Sequence, residues 1–507
     1  SKLFDEVAWE TRTLFNTFVD ETNRRFGSGL DWYLTGPSSR NRNASPLFIQ
    51  FCRIRFAERC IRDNVPFEAV AVDQAEMAAP IAALGARLGR ALDIRLERPL
   101  LERIGSGVRV LSLLAWQLVK PLLFYGLLRR TSLEKRDVPV QATLVNTYIF
   151  ERDPDYDRYL PGLMDHLSPA EREEIRFVPN YYQVRARKIG AFCRALRRAK
   201  RNYLLKEDYL RPGDYLHAWL HWLRILPFSW KTYRFDGHDV SGLVRAELRS
   251  MEGLGSAMSG LLLERLALRL KEAGCSIRML INCHENLVVD KGWNAGFAKY
   301  YDGVDRFGYV SFAFTPFELQ IGPVDSEQQA RVLPTRTGVI GESYQAYVRE
   351  NCPDLPTATA PAFRYAHLFA GGRQRAEGGR FTVLAALPLY ENDAIDVLGV
   401  IFEALAGGGQ DLRVVVRPHP LTKFDRVLRH FGKGWPAGSE LDTGSFSETL
   451  AAANLLISTD SSVAIESLAK GVPVVIIGNM RGITNHPIRL PRESLGWMLC
   501  YTVADLR

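Results

Sequence analysis

Three short segments carry side chains able to work on a phosphorylated ligand. In ISTDSSVAIESLAKGVPVVI (457–476) an apolar run ends, Thr459 and Asp460 follow, and Ser461 and Ser462 open a helix. Free N–H groups and the positive dipole end of a helix hold phosphate, and two hydroxyls add donors. Glu466, on the first turn, is placed to accept hydrogen bonds from ribose hydroxyls, and equally placed to complete a capping box. Arg417-Pro418-His419-Pro420 follows a second apolar run. Its prolines stiffen a loop whose Arg417 and His419 can both donate to phosphate. Cys283-His284-Glu285-Asn286 ends a third run, where Glu285 is either a base or nucleophile or a solvated loop acid.

These loops need strands that end just before them. From 380 onward the chain alternates regularly: RFTVLAALP (380–388), a helix, DLRVVVRPHP (411–420), the helix SETLAAA, NLLISTD (454–460), the helix SSVAIESLAK and GVPVVIIGN (471–479). Continuous Val/Ile/Leu runs predict parallel strands buried on both faces, a Rossmann-like unit with ligands at the carboxyl ends of its strands. Earlier, the pattern predicts a helix to about Phe26, a strand at Trp32–Leu34, a helix near 46–62 and a strand at 67–73, the start of a βαβ unit. Strands follow at 141–150, 276–283 and 309–314, with 155–270 mainly helical apart from 176–179. The fold class is α/β, with two Rossmann-like domains facing a cleft. Polar residues between 325 and 345 place the boundary, giving 1–335 and 336–495, with 496–507 returning toward the first domain. The ending YTVADLR reads as the opening of a helix, so the chain is expected to run on.

Length and composition agree. At roughly 100–200 residues per domain, 507 residues make two to four domains. Hydrophobic residues at 47% and charged ones at 24% exclude a disordered, fibrous or multi-span membrane chain. The net charge is +8, carried by 52 arginines and 13 lysines. That excess fits either a compositional bias or an anionic partner. Seven scattered cysteines without a CxxC pair point to buried thiols in a reducing compartment, and SKLFDEVAWETRTLF is not a signal peptide, so the cytosol is expected. The apolar stretch 110–128 is broken by Lys120 and Pro121, which predicts a buried or membrane-surface helix. RARKIGAFCRALRRAKR (185–201) holds eight cations and no acid, and Trp219, Trp222 and Trp230 follow. Together they suit an anionic membrane surface, or else a solvated helix beside a core helix. No DxD motif of the metal-binding kind and no nucleic-acid motif stands out.

In this order, the motifs resemble those of bacterial GT-B sugar transferases that use CMP-activated ulosonic acids: an acidic motif, an HP motif and a paired-serine motif, here Glu285-Asn286-Leu287, His419-Pro420 and Ser461-Ser462. The chain also resembles bacterial surface carbohydrate biosynthesis proteins, through WYLTGPSSRNRNASPLF (32–48) and through Glu285-Asn286 followed by Trp293. Asn286 and Leu287 depart from the second acid and glycine of the acidic motif, leaving Glu285 as its only carboxylate. The resemblance implies a GT-B enzyme with an acceptor-binding N-terminal and a nucleotide-sugar-binding C-terminal domain. His419, Pro420, Thr459, Ser461 and Ser462 would hold the CMP phosphate with Arg417 in support, and Glu466 the ribose. Loss of CMP needs stabilisation of negative charge, which donors supply without a metal or other cofactor. Glu285 is nucleophile in a retaining reaction, as the resemblance to β-Kdo transferases implies, or base in an inverting one. By strand-end topology, Ser38, Ser39, Arg40, Asn146 and Asn286 are candidates to touch donor or acceptor. The expected partners are a CMP-activated sugar, a glycan or lipid-linked acceptor and an anionic membrane surface, not nucleic acid. The alternatives are a CDP-glycerol-type polyol-phosphate transferase, which would use a second histidine such as His486, a UDP- or GDP-sugar transferase, and a non-catalytic polysaccharide assembly protein.

Overall fold

The computed structural model describes residues 2–96, 106–130, 141–151, 153–369, 380–405, 412–432, 435, 439–491 and 494–507. They form two compact units. The larger holds 11–312 and 318–364, and the smaller holds 1–10, 313–317 and 365–507.

The larger unit is built on a six-stranded sheet of β1 (Ala142–Phe150), β2 (Ile175–Tyr182), β3 (Ile277–Cys283), β4 (Asp305–Val310), β5 (Arg336–Val339) and β6 (Thr357–Thr359). Every pairing is parallel and the order is β6-β5-β4-β3-β1-β2. The order reverses between β1 and β3, which makes that edge the crevice where such sheets bind ligands. One face packs Leu144 and Leu280 against Leu263, Leu266, Trp293 and Phe297, and the other packs Val145 and Ile149 against Phe124, Leu128, Phe192 and Leu196.

Helices α3 (Ser106–Arg130), α4 (Ile189–Arg198), α5 (Met251–Glu272) and α6 (Val288–Tyr300) pack on the two faces of this sheet. Helix α2 (Leu47–Arg62) belongs to the same unit, and α1 (Lys2–Phe26) has its first residues, 2–10, in the smaller unit and the rest in the larger. Helices α5 and α6 meet backbone to backbone. A Cβ on Gly260 would lie 2.7 Å from Val288 O, one on Gly296 2.7 Å from Glu264 Cα, and one on Gly292 would strike the backbone of Gly260. Only glycine permits that approach, and it fixes the start of α6, just after the Glu285 loop.

The smaller unit repeats the plan with β7 (Phe381–Ala386), β8 (Leu412–Arg417), β9 (Ser439–Leu441), β10 (Leu455–Ser458), β11 (Val474–Ile477) and β12 (Trp497–Cys500). The order β9-β8-β7-β10-β11-β12 is again parallel and reverses between β7 and β10. Helices α7 (Glu391–Leu405) and α8 (Val463–Ala469) flank it.

The α/β expectation and both Rossmann-like sheets are therefore present, with the predicted strands of the smaller unit in place. Several boundaries are corrected. Residues 336–359 belong to the larger unit, because β5 pairs with β4 (Phe307↔Arg336) and β6 with β5, so the division falls at 364/365 rather than 335. Residues 496–507 do not return to the other domain: β12 pairs with β11 and completes the second sheet. Trp32 and Tyr33 sit in a helical turn, Leu30–Tyr33, not a strand. Among the described residues Val70–Val72 pairs only with Ile94–Leu96, apart from the main sheet. The predicted strand at 309–314 is shifted to β4.

Among the described residues no helix is long and apolar enough to cross a membrane. Half of the basic run is neutralised by the protein's own acids. Arg185 and Lys188 pair with Glu151, Arg197 with Asp208 and Arg201 with Asp157.

Candidate active site

The Glu285 loop lies at the carboxyl end of β3, beside the sheet's reversal. β3 stops at Cys283, Asn286 takes a left-handed conformation (φ 51°), and α6 starts at Val288. Asp290 Oδ2 accepts the backbone N–H of both Glu285 and Leu287, each at 3.0 Å, so one carboxylate caps the helix and clamps the loop. Burial, then the charges of Asp290 and Glu318, push the Glu285 carboxyl up to about 7. Burial raises Asp290 to about 6 against the pull of those two N–H groups, and burial lowers His284 to about 4, leaving a neutral imidazole.

A row of buried amides runs under the loop. Asn180 Nδ2 donates to Asn146 Oδ1 (2.6 Å), Asn146 Nδ2 to Asn282 Oδ1 (2.9 Å), and Asn282 Nδ2 faces His284 Nδ1 (3.4 Å). The row crosses β2, β1 and β3, with Asn146 and Asn282 in register. Gly308 on β4 leaves room for the His284 ring, which a Cβ would approach to 3.1 Å.

Most of the donor and acceptor candidates are engaged inside the larger unit. Asn146 is fully buried with both ends of its amide engaged in the row. Arg40 is also buried. It donates to Leu319 O (2.9 Å), Gly322 O (2.7 Å) and Glu327 Oε2 (2.6 Å). Glu327 Oε1 pairs with Lys291 Nζ at 2.7 Å, and Lys291 Nζ donates to Ser38 O at 2.8 Å. In this closed triad Arg40 and Lys291 hold Glu327 below its ordinary value in spite of burial. Ser38 Oγ donates to Asn23 Oδ1 and Ser39 Oγ to Gly36 O. Asn286 Nδ2 donates to Gln320 O at 2.8 Å. Ser38, Ser39, Arg40 and Asn286 are thus held from inside the larger unit, with Asn286 Oδ1 left without a partner among the described residues. Ser39 also lines a cavity.

In the smaller unit the second group gathers at the β7/β10 reversal. His419 Nδ1 accepts the N–H of Leu421 at 3.2 Å, so its proton sits on Nε2, ready to be donated. Burial lowers its pKa, and the nearby Asp460 charge opposes that. Ser461 and Ser462 are partly exposed at the start of α8, and Val463 N–H approaches Ser461 Oγ at 3.4 Å. Because α8 has seven residues, hydroxyls and loop N–H groups rather than a long dipole would hold an anion. Thr459 is buried, with its hydroxyl on Asp460 Oδ1 at 2.9 Å, and Pro420 is exposed.

The Arg417 guanidinium donates to Asp442 and to Gly444 O and lies over Phe446, so it braces β8 to the segment after β9. Glu466 carries an unforeseen partner, His367 Nε2 at 3.2 Å. His486, the alternative histidine, packs on Trp497.

No protein-family model matches the chain, and no curated protein does. Solved structures similar to it include a galactosyltransferase. The apo form of the lipopolysaccharide outer core galactosyltransferase WaaB overlaps 72% of this chain and 88% of its own, at 10% identity and TM-score 0.41. MnaA of S. aureus with UDP covers 67% and 79%, at 10% identity and TM-score 0.38. Anabaena HepE with UDP and glucose covers 71% and 86%, at 9% identity and TM-score 0.37. With TM-scores below 0.5 these are loose likenesses, and the functional reading stands on the chain's own residues.

Sequence reasoning missed Asp290, His284, Asn282 and His367. For Asp290 a local signal existed: an acid three residues after Leu287, at the third position of a helix. His367 had none, lying 99 residues from Glu466.

Proposed function

We propose that the chain is a glycosyltransferase that moves an ulosonic acid of the Kdo type from its CMP-activated donor to a bacterial surface glycan or lipid-linked acceptor. It would act in the cytoplasm, on the inner face of the membrane, without a metal or other cofactor. The observation that carries this is the Glu285 carboxyl. It stands at a strand end beside a sheet reversal, clamped by Asp290 and raised to about 7. Such a group is matched to moving a proton at neutral pH. His419, with its Nε2 proton free to donate, and the Ser461–Ser462 hydroxyls would bind the CMP phosphate and stabilise the charge left on it.

A carboxyl poised near neutrality favours Glu285 as the base that takes the acceptor hydroxyl's proton, hence inversion. As nucleophile it would have to be fully ionised, and retention would follow. Intact-protein mass spectrometry with the CMP-sugar alone separates the two, since only the nucleophile leaves a sugar-sized adduct. Thermal shift with CMP, CDP, UDP and GDP tests the donor. Selective stabilisation by CMP, with hydrolysis of a CMP-ulosonic acid in the same preparation, is the expected result. Selective stabilisation by UDP or GDP would overturn the donor assignment, and binding of no nucleotide would overturn the enzyme.

A further inference from the structure

A cavity of about 490 Å³ opens in the larger unit, within the size range of small-molecule sites. Its walls include Trp116, Lys120 and Phe124 of α3, Met258 and Leu262 of α5, and Tyr148 of β1. Gln117 ties the two helices together, donating to Met251 O at 2.6 Å. The cavity reaches Leu287 and Val288, directly after Glu285. Lys120 is the one cation α3 contributes to this wall. Among the described residues no carboxylate pairs with it, and burial lowers its pKa. A second wall cation, Lys206, is already paired with Glu207 and lies over Tyr181. The Tyr148 hydroxyl is buried with no hydrogen-bond partner among the described residues.

The outer side of α3 is apolar as well. Leu113, Trp116, Val119 and Leu123 are 38–44% exposed and recur every three or four residues, forming one stripe. Exposed apolar stripes of this kind mark contact surfaces. Helix α4 packs against α3 through Phe192 and Leu196, and it exposes Arg194 and Arg198, which have no acid partner among the described residues. An apolar stripe beside free cations is complementary to an anionic bilayer.

We propose that the cavity seats a lipid-phosphate acceptor, whose apolar chain enters from an anionic bilayer under α3 and whose phosphate meets Lys120. The head of such a molecule then lies toward the Glu285 loop. For the reaction this rests on the transferase reading; for binding it stands alone.

The test is calorimetric titration of the full chain with dodecyl phosphate below its critical micelle concentration, with dodecanol and inorganic phosphate as separate arms. Saturable one-to-one binding is expected for dodecyl phosphate, at least tenfold weaker binding for dodecanol, and none for phosphate alone. Lys120→Gln should weaken binding about tenfold, and Ser256→Trp, which fills the cavity from α5, should abolish it. Circular dichroism checks that both variants fold, and if Ser256→Trp does not, Lys120→Gln decides. No saturable binding, equal binding of inorganic phosphate, or affinity unchanged in a folded variant would overturn the proposal. CMP titrated into the same samples keeps the two readings apart. CMP binding without dodecyl phosphate binding sinks the cavity alone, and the reverse sinks the transferase.

Discussion

Asp290 controls Glu285 twice. Its Oδ2 accepts the Glu285 N–H at 3.0 Å, and its charge is the largest contribution after burial to the raised Glu285 pKa. One buried side chain thus holds the loop of the proposed catalytic carboxyl and adds to the burial that raises its pKa. Asp290→Asn keeps an oxygen for the N–H groups and removes the charge. Glu285 should then titrate lower, and the acid limb of the pH–rate profile should move to lower pH while CMP affinity stays constant. An unmoved limb would mean that Asp290 acts only as a cap.

Glu285→Gln should remove transfer by about 10²–10⁴-fold, the range for a positioned acid or base. CMP binding should survive, because Glu285 and the serine loop belong to different units. Activity assays beside CMP titration check both.

The same substitution should stabilise the protein at high pH. A carboxyl whose folded value is about 7 instead of 4.5 supports folding while protonated. That contribution is complete below about 4.5 and is lost as pH rises through 7. At pH 8 the buried carboxylate costs about 3 kcal/mol at most. Denaturant unfolding at pH 5 and 8 should show Glu285→Gln flattening the fall in stability with rising pH. His284, lowered to about 4, acts in the opposite sense: its contribution is present above about 6.5 and lost as pH falls through 4.

Breaking the Arg40–Glu327–Lys291 triad should be costly. All three side chains are fully buried, and removing one partner of such a set costs about 3–5 kcal/mol. Lys291→Met, read by chemical unfolding, should fall in that range. Replacing all three with apolar residues of similar size should cost less.

His419 and Arg417 should separate cleanly. His419→Ala should weaken CMP binding by roughly 5–10-fold, the worth of about one hydrogen bond. Arg417→Ala should leave CMP affinity nearly intact and lower stability by about 1–3 kcal/mol, through loss of its charge-assisted bond to the buried Asp442. Equal loss of affinity in both would return Arg417 to the phosphate site.

What the sequence determined by itself was local. Continuous Val/Ile/Leu runs marked β7, β8, β10 and β11, and the residues just past such runs marked Glu285, His419 and the serine pair, because a buried parallel strand and the loop that ends it are written in adjacent residues. Tertiary structure alone decided which polar groups stay available. Arg417 was a candidate to support a phosphate and Arg40 one to touch donor or acceptor, and the partners that hold them are Asp442 and, 287 residues from Arg40, Glu327. It likewise decided that 336–359 joins the first sheet, since β5 and β6 are short strands that hold their place only by pairing with β4 and each other. A side chain's type is local, but its hydrogen-bond partners come from distant segments, and at this site those partners separate the groups that can meet a ligand from those that only hold the fold.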